Sequence, residues 1–256
     1  MTIQACAELV ARGDPLRFRV TMAAPLAARE VLLPLYAFNL EVARAPWLTE
    51  EPMIAEMRLQ FWRDVVEEAA AGKPGRAHEV AAPLTNLIQS KGLPGDLLDR
   101  IVAARRWDIY KDAHEDADAL RAYLDDTAGS LMWAGALALG AKSKQETAVR
   151  ALGQATGVAA LLQAVPDLEG RGRIPLVDGR GEAVAELANT ALANIDTARR
   201  AKLPTHIQPA LWPSVSARAI LRQALKNPSR VAEGTLQTSD LGITLRLARY
   251  SLLGGY

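Results

Sequence analysis

The chain has 256 residues with 30 basic against 29 acidic side chains, and its net charge of +1 supplies no broad positive field, which argues against nucleic-acid binding. Half of the residues are hydrophobic but only 5% are aromatic, and the dominance of Ala and Leu favours helices over sheets. Composition does not shift along the chain, so one domain over residues 1–256 is expected, with a looser C-terminal segment at 227–256.

Residues 3–12 read as a short helix, in which the single cysteine, Cys6, fits a small buried residue better than a nucleophile. One cysteine excludes an internal disulfide and fits a reducing compartment. Residues 1–30 carry Glu8, Asp14 and several arginines without an apolar core, which is unlike a secretory leader, so a cytoplasmic protein is the expectation.

Asp14-Pro15 interrupts the first helix. A long helix follows over 25–45, with Leu33, Tyr36, Ala37, Leu40 and Ala43 on an apolar stripe. Asn39 shares that stripe. A buried Asn without partners costs about 1–3 kcal/mol, which leaves either a local polar network or a pocket wall. Pro34 predicts a kink near Val31 or two pieces meeting there, and Pro46 predicts the end.

The next helix is expected over 51–71, with Pro52 in its first turn and a stop at Gly72-Lys73-Pro74-Gly75. Its core stripe reads as Ile54, Met57, Phe61, Trp62 and Val65. Arg58, Gln60, Arg63 and Asp64 lie between these residues, on a solvated face or turned inward. Helices at 78–89 and 96–110 come next, with Asp96 as a cap and Arg105 and Asp108 spaced as a structural pair.

Residues 119–140 and 143–165 read as apolar helices. The first holds Tyr123, Asp125, Asp126 and Ser130, and the second holds Gly153, Gln154, Gly157 and Gln163. Their uncharged runs, 127–141 and 151–166, fall short of the roughly 20 residues that cross a bilayer. The glycine- and proline-rich stretch 166–182 reads as the longest loop. Helices at 182–201 and 214–226 precede a polar stretch at 227–239 and a final helix at 240–253. That last helix, with Arg246, Arg249 and Tyr250, is expected to pack on the domain, with contact to a membrane surface as the alternative.

The three histidines, His78, His114 and His206, are scattered without ligand spacing, which argues against zinc. Ser130 lacks the second glycine of a nucleophile elbow. Gly170-Arg171-Gly172-Arg173 is either an ordinary surface loop or a phosphate cradle. Asp64, Glu67 and Glu68 could hold a divalent cation only with a facing cluster from another helix.

Taken together, LYAFN, RLQFWRD, YLDDTAGS and GQATGVAALLQAVPDLEGRGRIPL, in this order over residues 16–225, resemble the squalene/phytoene synthase family. The resemblance implies an all-α, isoprenoid-synthase-type helical bundle around a central cavity. In active members the helix after the YAF element carries three magnesium-binding aspartates, and aligning Tyr36-Ala37-Phe38 puts Ala43, Arg44 and Trp47 at those positions. In the second family motif, Leu162-Gln163-Ala164 falls where an Arg-Asp pair is expected, leaving Asp167 and Glu169 before Arg171-Gly172-Arg173.

The pattern looks closest to the non-catalytic branch that contains the mitochondrial respiratory complex I assembly factor. It implies a pseudoenzyme with no cofactor, peripheral to the inner membrane, that binds an isoprenoid or lipid ligand or a respiratory-complex subunit. Tyr36, Asn39, Arg58, Arg63, Tyr123, Gln154 and Gln163 are the candidate inner-face residues, with Arg171 and Arg173 at the mouth. One competing expectation is an active prenyltransferase holding Mg with a rearranged set, Asp64, Glu67, Asp125 and Asp126. The other is a pure interaction scaffold.

Overall fold

The computed structural model describes residues 3–256, which fold into helices joined by turns, with no strand among them. Helix α1 (Ile3–Gly13) ends where Asp14 caps α2 (Pro15–Met22), its carboxylate accepting from the Arg17 backbone N–H at 2.9 Å and Pro15 opening the first turn. Helix α3 (Leu26–Arg44) is central: residues from Val31 to Asn39 are buried on every side, so its apolar pattern runs all round. Pro34 does not divide it. Neighbouring helices hold α3 as one continuous element despite the lost backbone donor.

A single turn at Ala45–Trp47 leads to α4 (Pro52–Ala70). The expected stripe on α4 is rotated. Ile54 and Met57 are exposed, while Ala55, Leu59, Trp62, Val65, Val66 and Ala69 face the core. Both sets repeat at three to four residues, and packing against α5 (Ala81–Lys91) and α6 (Gly95–Ala104) selects the second. Helix α6 stops before the expected position. From Arg105 to Ile109 each N–H bonds to the carbonyl three residues back, tightening the chain into turns.

Helix α7 (Ala117–Leu124), capped by Asp116, widens into a π turn at Asp125–Gly129 and continues as α8 (Ser130–Ala138). The long α9 (Glu146–Gly170) packs on α8, the π turn, α10 (Gly181–Arg200) and α11 (Ala217–Lys226). It runs through Pro166, so the loop begins later than expected. With the turn before it, α9 is long and apolar enough to cross a bilayer by length and composition, yet half of its apolar window is buried among neighbours, as in a core helix. Gly153 permits that packing: a Cβ there would stand 2.7 Å from the Ala128 carbonyl oxygen and 2.8 Å from Gly129 Cα.

The stretch at 227–239 is tied down. It contains α12 (Ser229–Ala232), buries Leu236, and receives hydrogen bonds from Gln163 and Gln223 on its carbonyls. Helix α13 (Asp240–Leu253) sets Ile243 and Leu247 against Val20, Ala28 and Trp212.

Candidate functional site

Between α3, the α7–α8 unit and α9 lies a cavity of about 600 Å³. Its walls are apolar along Leu40, Leu124, Leu131, Ala160 and Leu161, and polar at the α1–α2 junction, the 105–114 turns and the α9 end. Five arginines (Arg17, Arg44, Arg105, Arg171 and Arg173) and three aspartates (Asp14, Asp108 and Asp167) line it. The balance favours an anion.

Much of that charge is fixed by local pairing. Arg17 bonds to Asp14 at 2.7 Å and lies over the Tyr36 ring at 5.4 Å. Asp108 is 6% exposed and accepts from Arg105 Nη1 at 3.0 Å and from Tyr123 Oη at 2.9 Å, while its backbone carbonyl accepts from Arg173. Burial opposes the charge on Arg105, but Tyr123 and Asp108 outweigh it and its pKa is raised; burial also raises the Tyr123 phenol. Trp107 stacks on His114 at 3.9 Å, and burial pushes the His114 pKa down against the pull of Asp108.

Four donors on this lining, the Nε atoms of Arg17, Arg105 and Arg173 and the Trp107 indole N–H, are buried without a hydrogen-bond partner. Each such group costs about 1–3 kcal/mol, and an oxygen-rich occupant would offset that cost. At the mouth, Trp47 holds two guanidinium groups on its ring, Arg171 at 5.2 Å and Arg173 at 4.9 Å.

Of the residues singled out by sequence, Asn39, Tyr123, Arg171 and Arg173 line this cavity, and Tyr36 is buried beside Arg17. Four others face elsewhere. Arg58 is exposed on the outer side of α4, and Arg63 forms a bidentate pair with Asp99 at 2.7 and 3.0 Å. Gln154 contacts Asn194 on α10, and Gln163 bonds to the Leu236 carbonyl. On α4 and α9 these polar residues fell within apolar stretches, and the rotation of each helix turned them away from the cavity. Conversely, Arg105, Trp107, Asp108 and His114 enter the lining from turns, where helical spacing gives no signal, and Arg17 enters from the first turn of α2. The Arg105–Asp108 spacing was the one legible part of that group.

The helical architecture and its cavity define an isoprenoid-synthase-type fold. It superposes on a dehydrosqualene synthase with a TM-score of 0.81 at 14% identity, covering 96% of this chain and 94% of that one. It also superposes on a squalene synthase from Alicyclobacillus acidocaldarius with a TM-score of 0.76 at 19% identity, covering 89% and 94%. Within that fold class, the sequence model for squalene/phytoene synthase matches residues 10–177, and the chain belongs to that family.

Its sequence is similar to NADH dehydrogenase (ubiquinone) complex I, assembly factor 6 of Homo sapiens, at 28% identity over 162 residues, covering 63% of this chain and 48% of the relative. The Drosophila melanogaster homolog of that factor is 31% identical over 178 residues, covering 67% and 53%. The chain spans about half the length of the curated relatives it matches.

The resemblance to the family implies magnesium, a hard cation that takes oxygen ligands. The residues around the cavity do not fit it. Ala43, Arg44 and Trp47 all face the cavity, Asp14 and Asp108 are already bonded to arginines, and Asp167 is left as a single carboxylate on the lining. Among the described residues no three His, Cys, Asp or Glu side chains come together as a metal site. Of the rearranged set, Asp64 pairs with Arg76, Asp125 pairs with Arg150 beside Asp126, and Glu67 lies in a separate hollow with Arg63.

Proposed function

We propose that this chain is a non-catalytic member of the squalene/phytoene synthase family that serves assembly of a respiratory complex and uses the cavity to hold an isoprenoid or lipid with an anionic head. The observation that carries the reading is the lining itself. Ala43, Arg44 and Trp47 stand where the family's aspartates are expected, and five arginines there outnumber three aspartates. Arginine forks bind a phosphate or diphosphate directly but cannot supply the octahedral oxygen clamp of magnesium. The apolar wall then takes a hydrocarbon tail.

The relatives named as complex I assembly factors support the assembly role. This reading places the protein in the cytoplasm, in peripheral contact with the inner membrane.

The test is binding and turnover of farnesyl diphosphate by the purified chain, with magnesium and with chelator, alongside mass spectrometry of co-purified lipids. Saturable binding that chelator leaves unchanged, with no diphosphate released, is expected. Magnesium-dependent diphosphate release overturns the non-catalytic reading. Neither binding nor co-purified lipid overturns the ligand and leaves an interaction scaffold. Loss of assembled respiratory complex on deletion of the gene is the expected cellular outcome.

A further inference from the structure

On the far side of α9 a second pocket, of about 200 Å³, is enclosed by α10, α11, α13 and the turn Trp212–Ser216, and it shares no residue with the central cavity. Four arginines line it, from three different helices: Arg199 from α10, Arg218 and Arg222 from α11, and Arg246 from α13. Ser214 and Tyr250 add hydroxyl groups.

Only one carboxylate answers this charge among the described residues: Asp196 pairs with Arg218, while Arg199, Arg222 and Arg246 form no ion pair. Arg246 spends one N–H on the Val215 carbonyl at 2.9 Å, which points its guanidinium towards the pocket wall. The Nε of Arg218 is buried without a partner.

Helix physics favours Arg199, in the last turn of α10, but not the two arginines of α11. Arg218 lies in the first turn of α11, where the helix dipole disfavours a cation. Arg218 and Arg222 are a like-charge pair at i,i+4, which also destabilises a helix. Three of the four guanidinium groups are left without an ion pair around a small concave space, and guanidinium forks match phosphate oxygens bidentately.

We propose that this pocket binds a phosphate group. That group could belong to a free phosphorylated solute or to a phospholipid headgroup. The second source has structural access, because α13 carries exposed Leu241, Leu245, Leu252 and Leu253 beside Arg246.

The test uses the full chain. Inorganic phosphate is titrated at constant ionic strength against chloride, followed by calorimetry and by the thermal midpoint. Sedimentation is measured with phosphatidylglycerol–phosphatidylcholine vesicles and with pure phosphatidylcholine vesicles. Phosphate should bind and raise the midpoint where chloride does not. Arg222→Gln, at an exposed and unpaired position, should weaken binding at least tenfold without unfolding the chain, and Arg199→Gln should act likewise. Arg44→Gln, in the other cavity, should leave this binding in place.

Phosphate binding with no preference for anionic vesicles assigns a free solute, and sedimentation with anionic vesicles that Arg222→Gln abolishes assigns the headgroup. Equal effects of chloride and phosphate with no vesicle preference overturn the proposal, as does binding undiminished by both arginine variants.

Discussion

Replacing Asp108 with alanine removes the acceptor around which the polar wall of the central cavity is built. The Arg105 and Asp108 side chains are 20% and 8% exposed, and the carboxylate also accepts from Tyr123. Asp108→Ala leaves Arg105 charged, buried and facing only a phenol. Breaking a buried ion pair from one side costs about 3–5 kcal/mol, a large part of the roughly 5–15 kcal/mol that holds a domain folded. At about 2–4 °C per kcal/mol for a chain of this size, the thermal midpoint should fall by roughly 6–20 °C.

Urea denaturation followed by far-ultraviolet circular dichroism, with the slope compared between variants, gives the free energy directly. The cause is separated by a replacement triple, Arg105→Met with Asp108→Leu and Tyr123→Phe. It exchanges the buried network for apolar groups and should recover most of the loss. A loss below about 1 kcal/mol for Asp108→Ala, or a triple no more stable than the single variant, would refute the reasoning.

Three further outcomes follow from local geometry. Gly153→Ala should cost about 1–3 kcal/mol, because its Cβ meets the backbone of the π turn. Gly13→Ala meets only the end of the Leu40 side chain, which can rotate aside, and should cost less; urea titrations in which that order is reversed would contradict the packing. The pKa of His114 lies below its ordinary 6.5 because burial disfavours the charged ring. The unfolded chain therefore binds the proton more readily, and stability present above about pH 6.5 should be lost as pH falls through the depressed folded value. His114→Phe should flatten that part of a pH series of melts. Cys6 is fully buried, and burial raises its thiol pKa to about 11. Iodoacetamide should label it slowly in buffer and rapidly in denaturant, as mass spectrometry would record, whereas rapid labelling of the native chain would contradict its burial.

The helices were largely legible because apolar spacing, helix-opening prolines and glycine stops act locally. Pro52 opens α4 as its position indicates, whereas Asp96, read as a cap, lies inside the first turn of α6 and makes no capping bond; the aspartates that do cap, Asp14 and Asp116, were not read as caps. Rotation about a helix axis was less legible. On α4 two stripes offset by one residue both satisfy the spacing, and contacts with α5 and α6 decide between them. That choice left Ile54 and Met57 outside and also carried Arg58 and Arg63 away from the cavity.

The candidate site was legible where family motifs marked it, at Arg171 and Arg173 and at the three positions Ala43, Arg44 and Trp47. The polar wall was not. Trp107 and His114 stack across a run of turns whose path depends on long-range contacts, including the bond from Arg173 to the Asp108 carbonyl. Nor could sequence show that Arg199, Arg218, Arg222 and Arg246 converge, since residues up to 47 positions apart meet there only after α10, α11 and α13 have docked.

The stack of Arg171 and Arg173 on Trp47 fastens the end of α3 to the segment following α9 with parts that are all covalently attached to one chain. A clasp of this kind has no dissociable component. Its occupancy does not vary with the supply of any ion. At this entrance the contacts that join the two segments are therefore supplied by the chain itself.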